Sequence, residues 1–296
     1  MSEVHLRRPI IDLHTHTTAS DGSLRPAELV REAKRAGLRA VAITDHDTVD
    51  GLAEGLAAGE EVGLEVVPGV EVSAQPLLDG HLHLLGLFVD PGQPRFRRWL
   101  DGVRAGRDRR NPKIIEKLQS FGISITLEEV QRKALGGLVG RPHIAQVLVE
   151  KRVTRSLPEA FERYLSRGAV AYVERERAMP GEAIAAIHEA GGLAILAHPH
   201  YCGARDTSTL QRFIQELQGL GLDGLEIHYP TFTVDQEALF GSLARELGLL
   251  GSGGSDFHGA QKPGLELGRG HGSLRVPAEL LEPLKARVAL MRSRQG

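Results

Sequence analysis

Two histidines separated by one residue, with an aspartate five positions further on, stand directly behind a short apolar run. The stretch at 10–22 reads IIDLHTHTTASDG and carries His14, His16 and Asp21. Imidazole nitrogens and carboxylate oxygens are the donors that hold divalent metals when sulfur is absent. One such triplet is weak, because Asp-Gly is itself a turn signal. The pattern returns, however. Asp45 and His46 follow AVAIT, Glu71 follows LEVVPGV, and His81 and His83 stand in the run 81–89. His198 ends LAILA, His228 ends LDGLEI, and Asp256 and His258 follow LLGS.

This set exceeds what one ion uses, since a zinc site takes about four ligands. It points to two or three ions sharing a carboxylate. Glu71, with histidine-bearing runs on both sides of it, is the natural bridge. Mixed nitrogen and oxygen donors suit manganese, iron or zinc. His14 and His16 alternate with Thr15 at the end of an extended segment, so both imidazoles face one bowl. Asp12 and Asp45 are read as carboxylates that orient ligand histidines rather than bind metal.

The elements that must position these groups alternate in type. Strands are predicted at 10–13, 39–44, 64–72, 81–89, 193–197, 222–227 and 247–252. Amphipathic stretches lie between them, such as RPAELVREAKRAG, with Ala27, Leu29, Val30 and Ala33 on one face and Gly37 as a stop. The alternation predicts parallel βα units closing into one α/β barrel, and 296 residues are within reach of a single such domain. In a barrel the carboxyl ends of the strands converge on one face, where active sites lie. From 93 to 180 the rhythm breaks into helices, with one short strand expected at AVAYV. That divides the chain into a first barrel part (1–92), a helical insertion (93–180) and a second barrel part (181–296).

The insertion is also where the positive charge lies. Between Arg95 and Arg177 there are 19 Lys/Arg against 10 Asp/Glu, or +9, which leaves −11 for the remainder of a chain of net charge −2. A basic segment over a carboxylate-rich site would gather an anionic substrate. No apolar run approaches the roughly 18 residues of a membrane span. The start lacks the apolar core of a signal peptide, so a cytoplasmic protein without membrane contact is expected. Cys202 is the only cysteine, which excludes an internal disulfide and a thiolate metal cage.

With these residues in view, the set HTH-x4-D, TDHD, GVE, HLL, AHP and SDFH resembles the PHP family, named for its polymerase-associated and histidinol-phosphatase members. An RN pair, GRPHIA and a phenylalanine–tyrosine–leucine helix leading to AYV resemble one branch of it, with small-nucleotide phosphatases and RNase AM-like 5′-to-3′ exoribonucleases. The resemblance spans roughly residues 8–290. It implies a distorted (β/α)7 barrel with a helical lid and a site for three ions, often manganese. The implied ligands are His14, His16, Asp21, His46, Glu71, His83, His198, Asp256 and His258. Arg110, Asn111, Arg141 and His143 match the branch pattern and are expected to hold substrate phosphate, although His143 could equally cap the helix that follows it. His228 is kept as a substrate contact outside the metal set, and His81 as a ligand or substrate contact. Phe96 and Trp99 are expected in the core rather than as base-stacking groups, His188 as a structural group, and His5, His200 and His271 in loops.

The function expected is hydrolysis of phosphate esters of nucleotides, such as a nucleoside 3′,5′-bisphosphate or 5′-monophosphate, or trimming of short RNA from its 5′ end. Metal-activated hydroxide would be the nucleophile. The alternatives are a histidinol-phosphate-type phosphatase and a non-catalytic, metal-stabilised module that binds a phosphorylated ligand. No protein partner is implied.

Overall fold

The structure, a computed structural model, describes residues 10–134, 137 and 139–294; His5 lies outside them. Each of the seven apolar runs contains a strand: β1 (Ile10–Asp12), β2 (Ala40–Ile43), β3 (Glu65–Ala74), β4 (Leu82–Leu87), β5 (Leu193–Leu196), β6 (Gly224–His228) and β7 (Leu250–Gly253). An eighth, β8 (Val276–Pro277), was not foreseen. The sheet order is β7-β6-β5-β4-β3-β2-β1-β8. β8 pairs with the first half of β1. The chain beyond β1 is thereby left free to meet the chain beyond β7, through Leu13 N to Gly253 O (3.0 Å), Asp256 N to His14 O (2.8 Å) and a parallel bridge between Thr15 and Phe257. That seam closes the barrel.

Apart from the added β8, which pairs antiparallel with β1, the sheet departs from the expected all-parallel order at one strand. β4 runs antiparallel to both β3 and β5. The reason is local: residues 75–81 are too few for the crossover of a dozen or more residues that a parallel neighbour requires. Helices cover the outside of the barrel. α1 (Pro26–Arg35) starts with proline in its first turn, buries Leu29, Val30 and Ala33 against the sheet, and stops at Gly37, whose φ of +79° suits glycine. α2 (Leu52–Val62), α7 (Pro180–Glu189), α8 (Thr207–Gly219), α9 (Val234–Leu247) and α10 (Leu281–Ser293) complete this layer.

Residues 93–180 form α3 (Pro94–Ser120), α4 (Leu127–Lys133), α5 (Arg141–Glu150), α6 (Leu157–Ala160) and a π-helical turn (Phe161–Leu165). α3 begins in the barrel core with Phe96 and Leu100. Beyond Pro112 it joins a separate apolar cluster, in which Ile114, Ile115 and Leu118 pack with Ile144, Leu148 and Leu165. Phe96 is fully buried, and Trp99 packs half-buried against the same core. The strand expected at AVAYV is absent: the segment turns and buries Ala171 in the helical cluster, while the named strands of the described residues all belong to the barrel sheet. No helix among the described residues is long and apolar enough to cross a membrane.

Candidate metal centre

The loops after the strands, with Glu71 on β3 and His83 on β4, bring all nine expected ligands together. His14 and His16 follow β1, Asp21 lies in the next turn, His46 follows β2 and Glu71 sits on β3. His198, Asp256 and His258 follow β5 and β7. His83 is the exception in direction, lying at the start of its strand. Because β4 is antiparallel, that start is on the same rim, with His83 opposite Ser73 of β3. Ligand atoms converge in four overlapping groups: His16, Asp21, His46 and His258; His14, Glu71 and His198; His14, His16 and Asp256; His46, Glu71 and His83.

Glu71 is the hub. Its Oε1 lies 2.7 Å from His83 Nδ1 and 2.9 Å from His198 Nε2; its Oε2 lies 3.0, 3.2 and 3.4 Å from nitrogens of His46, His16 and His14. Asp256 Oδ1 faces His16 at 3.3 Å and His14 at 3.6 Å, and Asp21 Oδ1 faces His258 Nε2 at 3.3 Å. Burial alone would push the Glu71, Asp21 and Asp256 carboxyls up. The nitrogen groups around each, the His46 ring foremost for Glu71 and Asp21 and Lys262 for Asp256, hold all three well below the usual carboxylate range.

The donor set fits divalent ions. Six of the ten buried side-chain polar atoms without a hydrogen-bond partner, among the described residues, belong to this cluster: His14 Nε2, both His16 nitrogens, His46 Nδ1, Glu71 Oε2 and His198 Nδ1. Buried polar atoms are rarely left unpaired, and here they face one another across a space lined by lone pairs. His198 and Asp256 also hold left-handed backbones, at φ of 29° and 51°, a strained arrangement that clusters at functional sites.

The surrounding groups differ from expectation in instructive ways. Among the described residues, neither Asp12 nor Asp45 hydrogen-bonds to a histidine ring. Asp12 accepts from Ser255 N (2.8 Å), Ser255 Oγ (2.6 Å), Gly268 N (2.8 Å) and the His14 backbone (3.3 Å), and so ties the β1 and β7 loops together. Asp45 accepts from Thr17 N and Oγ1 and from Ser20 Oγ, pinning the turn that carries Asp21. The carboxylate that does orient a ring is Glu226 on β6, 3.1 Å from His14 Nδ1, which also accepts from His198 N at 2.6 Å. His228 turns away toward α9, with Nδ1 3.2 Å from Glu237 Oε1, because β6 shifts register between Glu226 and His228. Tyr229 enters the centre in its place, donating to Asp256 Oδ2 at 2.7 Å, where Lys262 Nζ also lies at 2.5 Å.

The insertion contributes arginines. Arg110 is 5% exposed, and its hydrogen-bond partner among the described residues is the neutral Asn111 Oδ1 (2.9 Å), while Asn111 donates to Val139 O. Burial, reinforced by the like charges of Arg107, Arg141, Arg175 and Arg177, pushes its pKa down to about 8. A guanidinium resists giving up its proton, so this amounts to a demand for an anion. Arg141 lies 5.8 Å from the Phe161 ring and 5.9 Å from Tyr172. With Arg177 and His81 these residues line a cleft of about 760 Å3. His81 joins no ligand group, and its ring is 6.4 Å from that of His83, so the cleft abuts the metal centre there. His143 caps α5: its Nδ1 accepts from Gly140 N at 3.0 Å. His188 pairs with Asp223 (2.7 Å), His200 stacks on Tyr201 (3.6 Å), His271 is exposed, and Cys202 is buried.

Sequence hinted at Tyr229, adjacent to His228, but gave no signal for Glu226, Lys262, Arg107 or Arg175. Arg107 and Arg175 meet Asp47 60 and 128 positions away and Glu226 meets His14 212 positions away, whereas Lys262 lies only six residues past Asp256.

Comparison with known proteins agrees with this geometry. The PHP domain profile matches residues 12–169. A Haemophilus influenzae protein named as a 5′-3′ exoribonuclease is 39% identical over 250 residues, covering 83% of this chain and 89% of that protein. A Chromobacterium violaceum 3′,5′-nucleoside bisphosphate phosphatase is 32% identical over 281 residues, covering 94% and 97%. A Bifidobacterium adolescentis structure, itself assigned by prediction as a metal-dependent phosphoesterase, superposes with a TM-score of 0.83 at 32% identity, covering 94% of this chain and 96% of the other. The chain belongs to the PHP domain family.

Proposed function

We propose that the protein is a metal-dependent phosphoesterase acting on nucleotides, either a nucleoside 3′,5′-bisphosphate or 5′-monophosphate or the 5′ end of a short RNA. The observation that carries this reading is Glu71, one buried carboxylate facing five imidazoles with its two oxygens. The names of the two relatives support the substrate class.

Three divalent ions, manganese foremost with iron or zinc as substitutes, would be held by His14, His16, Asp21, His46, Glu71, His83, His198, Asp256 and His258, with Glu71 bridging. Divalent ions bound there would supply an acidified water and charge neutralisation at the phosphate. The chain's own residues do the rest. Glu226 fixes the tautomer and direction of the His14 ring, since a ligand histidine is set by what its other nitrogen meets. Tyr229 and Lys262 occupy Asp256 Oδ2 and leave Oδ1 for the centre. Residues 93–180 act as a lid. In it Arg110 and Arg141 hold phosphate, with Arg177 beside them; Asn111 steadies Arg110, and His143 fixes the start of α5. The cleft beside His81 exceeds one nucleotide in volume, and its Phe161 and Tyr172 rings offer a base a stacking surface. A cytoplasmic location, where such substrates arise, belongs to the same proposal.

The test strips the protein with chelator and restores manganese, magnesium or zinc separately. It then follows phosphate and nucleotide release from adenosine 3′,5′-bisphosphate, AMP, a 5′-phosphorylated RNA trimer and histidinol phosphate, with His14→Ala as the blank. Turnover of the bisphosphate or the trimer, lost in the blank, is the expected result. Turnover of histidinol phosphate alone, or silence with metal bound, would overturn the nucleotide reading.

A further inference from the structure

Asp47 is not one of the nine ligand candidates, yet it is fully buried and holds a left-handed backbone at φ 53°. A non-glycine residue pays free energy for that conformation, and such strain persists only where surrounding structure enforces it. Its contacts join two parts of the molecule. On the barrel side, its N–H donates to Glu71 O (2.9 Å) and its Oδ1 accepts from Ser73 N (2.8 Å), beside the bridging carboxylate and next to His46. On the lid side, its Oδ2 accepts from Arg107 Nε (2.9 Å) and Nη2 (2.7 Å) and from Arg175 Nη1 (3.1 Å). The same arginines continue to Ser73, Arg107 to its Oγ (3.1 Å) and Arg175 to its carbonyl (3.2 Å). All three charged side chains are buried.

Arg107 stands three residues before Arg110 on α3, which places both on one helix face. Arg175 stands two residues before Arg177 at the wall of the cleft. One barrel carboxylate therefore fastens two separate lid segments, one carrying Arg110 on the same helix and the other Arg177 at the cleft wall. A buried ion pair adds little net stability, because desolvation offsets the Coulomb gain. What the arrangement does secure is position.

We propose that Asp47 is a positioning residue, a latch that acts through Arg107 and Arg175 to set the lid's arginines over the metal centre at the spacing a phosphorylated substrate requires. This rests on the nucleotide reading for the substrate it names, but not for the contact itself. Through Glu71 O and Ser73 the same residue couples lid position to the strand that carries the bridging ligand.

The experiment compares manganese-loaded wild type, Asp47→Asn, Arg175→Gln and the double variant on adenosine 3′,5′-bisphosphate. Bound metal and hydrogen exchange are measured in the same samples. For each single variant KM is expected to rise about tenfold while kcat falls far less, the mark of lost binding rather than lost chemistry. Bound metal stays at the wild-type content. Exchange quickens across residues 104–111 and 173–177 while β2 and β3 stay protected. Because Arg175 acts through Asp47 while Asp47 also holds Arg107, the double variant matches Asp47→Asn rather than multiplying the two single effects. Loss of metal, an unchanged KM, multiplicative effects or unaltered lid exchange would each overturn the latch. Should Asp47→Asn not fold, Arg175→Gln carries the KM, metal and exchange tests alone. If the wild type turns over no nucleotide, it is the functional reading that fails, and the exchange measurement alone decides the latch.

Discussion

Asp12 shows how a buried carboxylate can serve a metal centre without touching it. Each of its oxygens accepts two hydrogen bonds from the loops that carry His14 and Asp256. Burial outweighs those bonds and raises its pKa to about 6. Asp12→Asn would turn an amide NH2 toward the Gly268 or Ser255 N–H, leaving a buried donor unpaired. Urea unfolding is expected to show a loss of about 1–3 kcal/mol at neutral pH. The sign with pH follows from the raised value. Between about pH 4 and pH 6 the folded carboxyl keeps a proton that the unfolded one releases, so this residue's contribution weakens as pH rises through that window. Metal-free wild type should show that slope and the asparagine variant should lack it; equal slopes would contradict the account. The nine ligand candidates were legible because each follows or opens an apolar run, so that strand geometry alone gathers them. Asp12 and Asp45 were recognised as supporting groups, but their targets were not: a ring and a backbone N–H are indistinguishable as partners until the loops are folded. Glu226 was not legible, since nothing near it in the chain announces the ring it meets, and Lys262, though only six residues past Asp256, reads as an ordinary loop lysine until the turn folds back.

At the scale of elements, the alternation of apolar runs and amphipathic helices was enough to place seven strands and the helical interruption. Strand direction was not, although the short 75–81 link contained the physical reason for it. The failed strand at AVAYV teaches the complementary point: apolar, β-branched sequence becomes strand only where an edge is available to pair. The 93–180 segment has its own apolar cluster, in which Leu148 is fully buried. Leu148→Ala should therefore cost about 2–5 kcal/mol of stability in that unit. Its expected signature is a raised KM for nucleotide, with bound metal unchanged, because none of the nine ligands lies in the helical segment. Metal loss in parallel with KM would mean that barrel and lid share one core.

Across the whole molecule, charge and topology cooperate. The barrel contributes the acidic centre, the 93–180 segment contributes the arginines, and Asp47 joins them. The net charge of −2 hides this division, which appears only when the charge is read by segment. The central claim is that the nine-residue cluster holds divalent ions that the hydrolytic reaction requires. The most direct measurement restores manganese stepwise to chelated protein, with bound metal and phosphate release from adenosine 3′,5′-bisphosphate recorded on the same samples, alongside Glu71→Gln. Phosphate release is expected to rise with bound manganese and to saturate near three ions per chain in the wild type. Glu71→Gln, lacking the bridging carboxylate, should bind fewer ions and lose at least about a hundredfold in rate, in keeping with the several kcal/mol that metal charge stabilisation supplies. Undiminished hydrolysis in the chelated protein, or a Glu71→Gln variant with full metal and full activity, would contradict it.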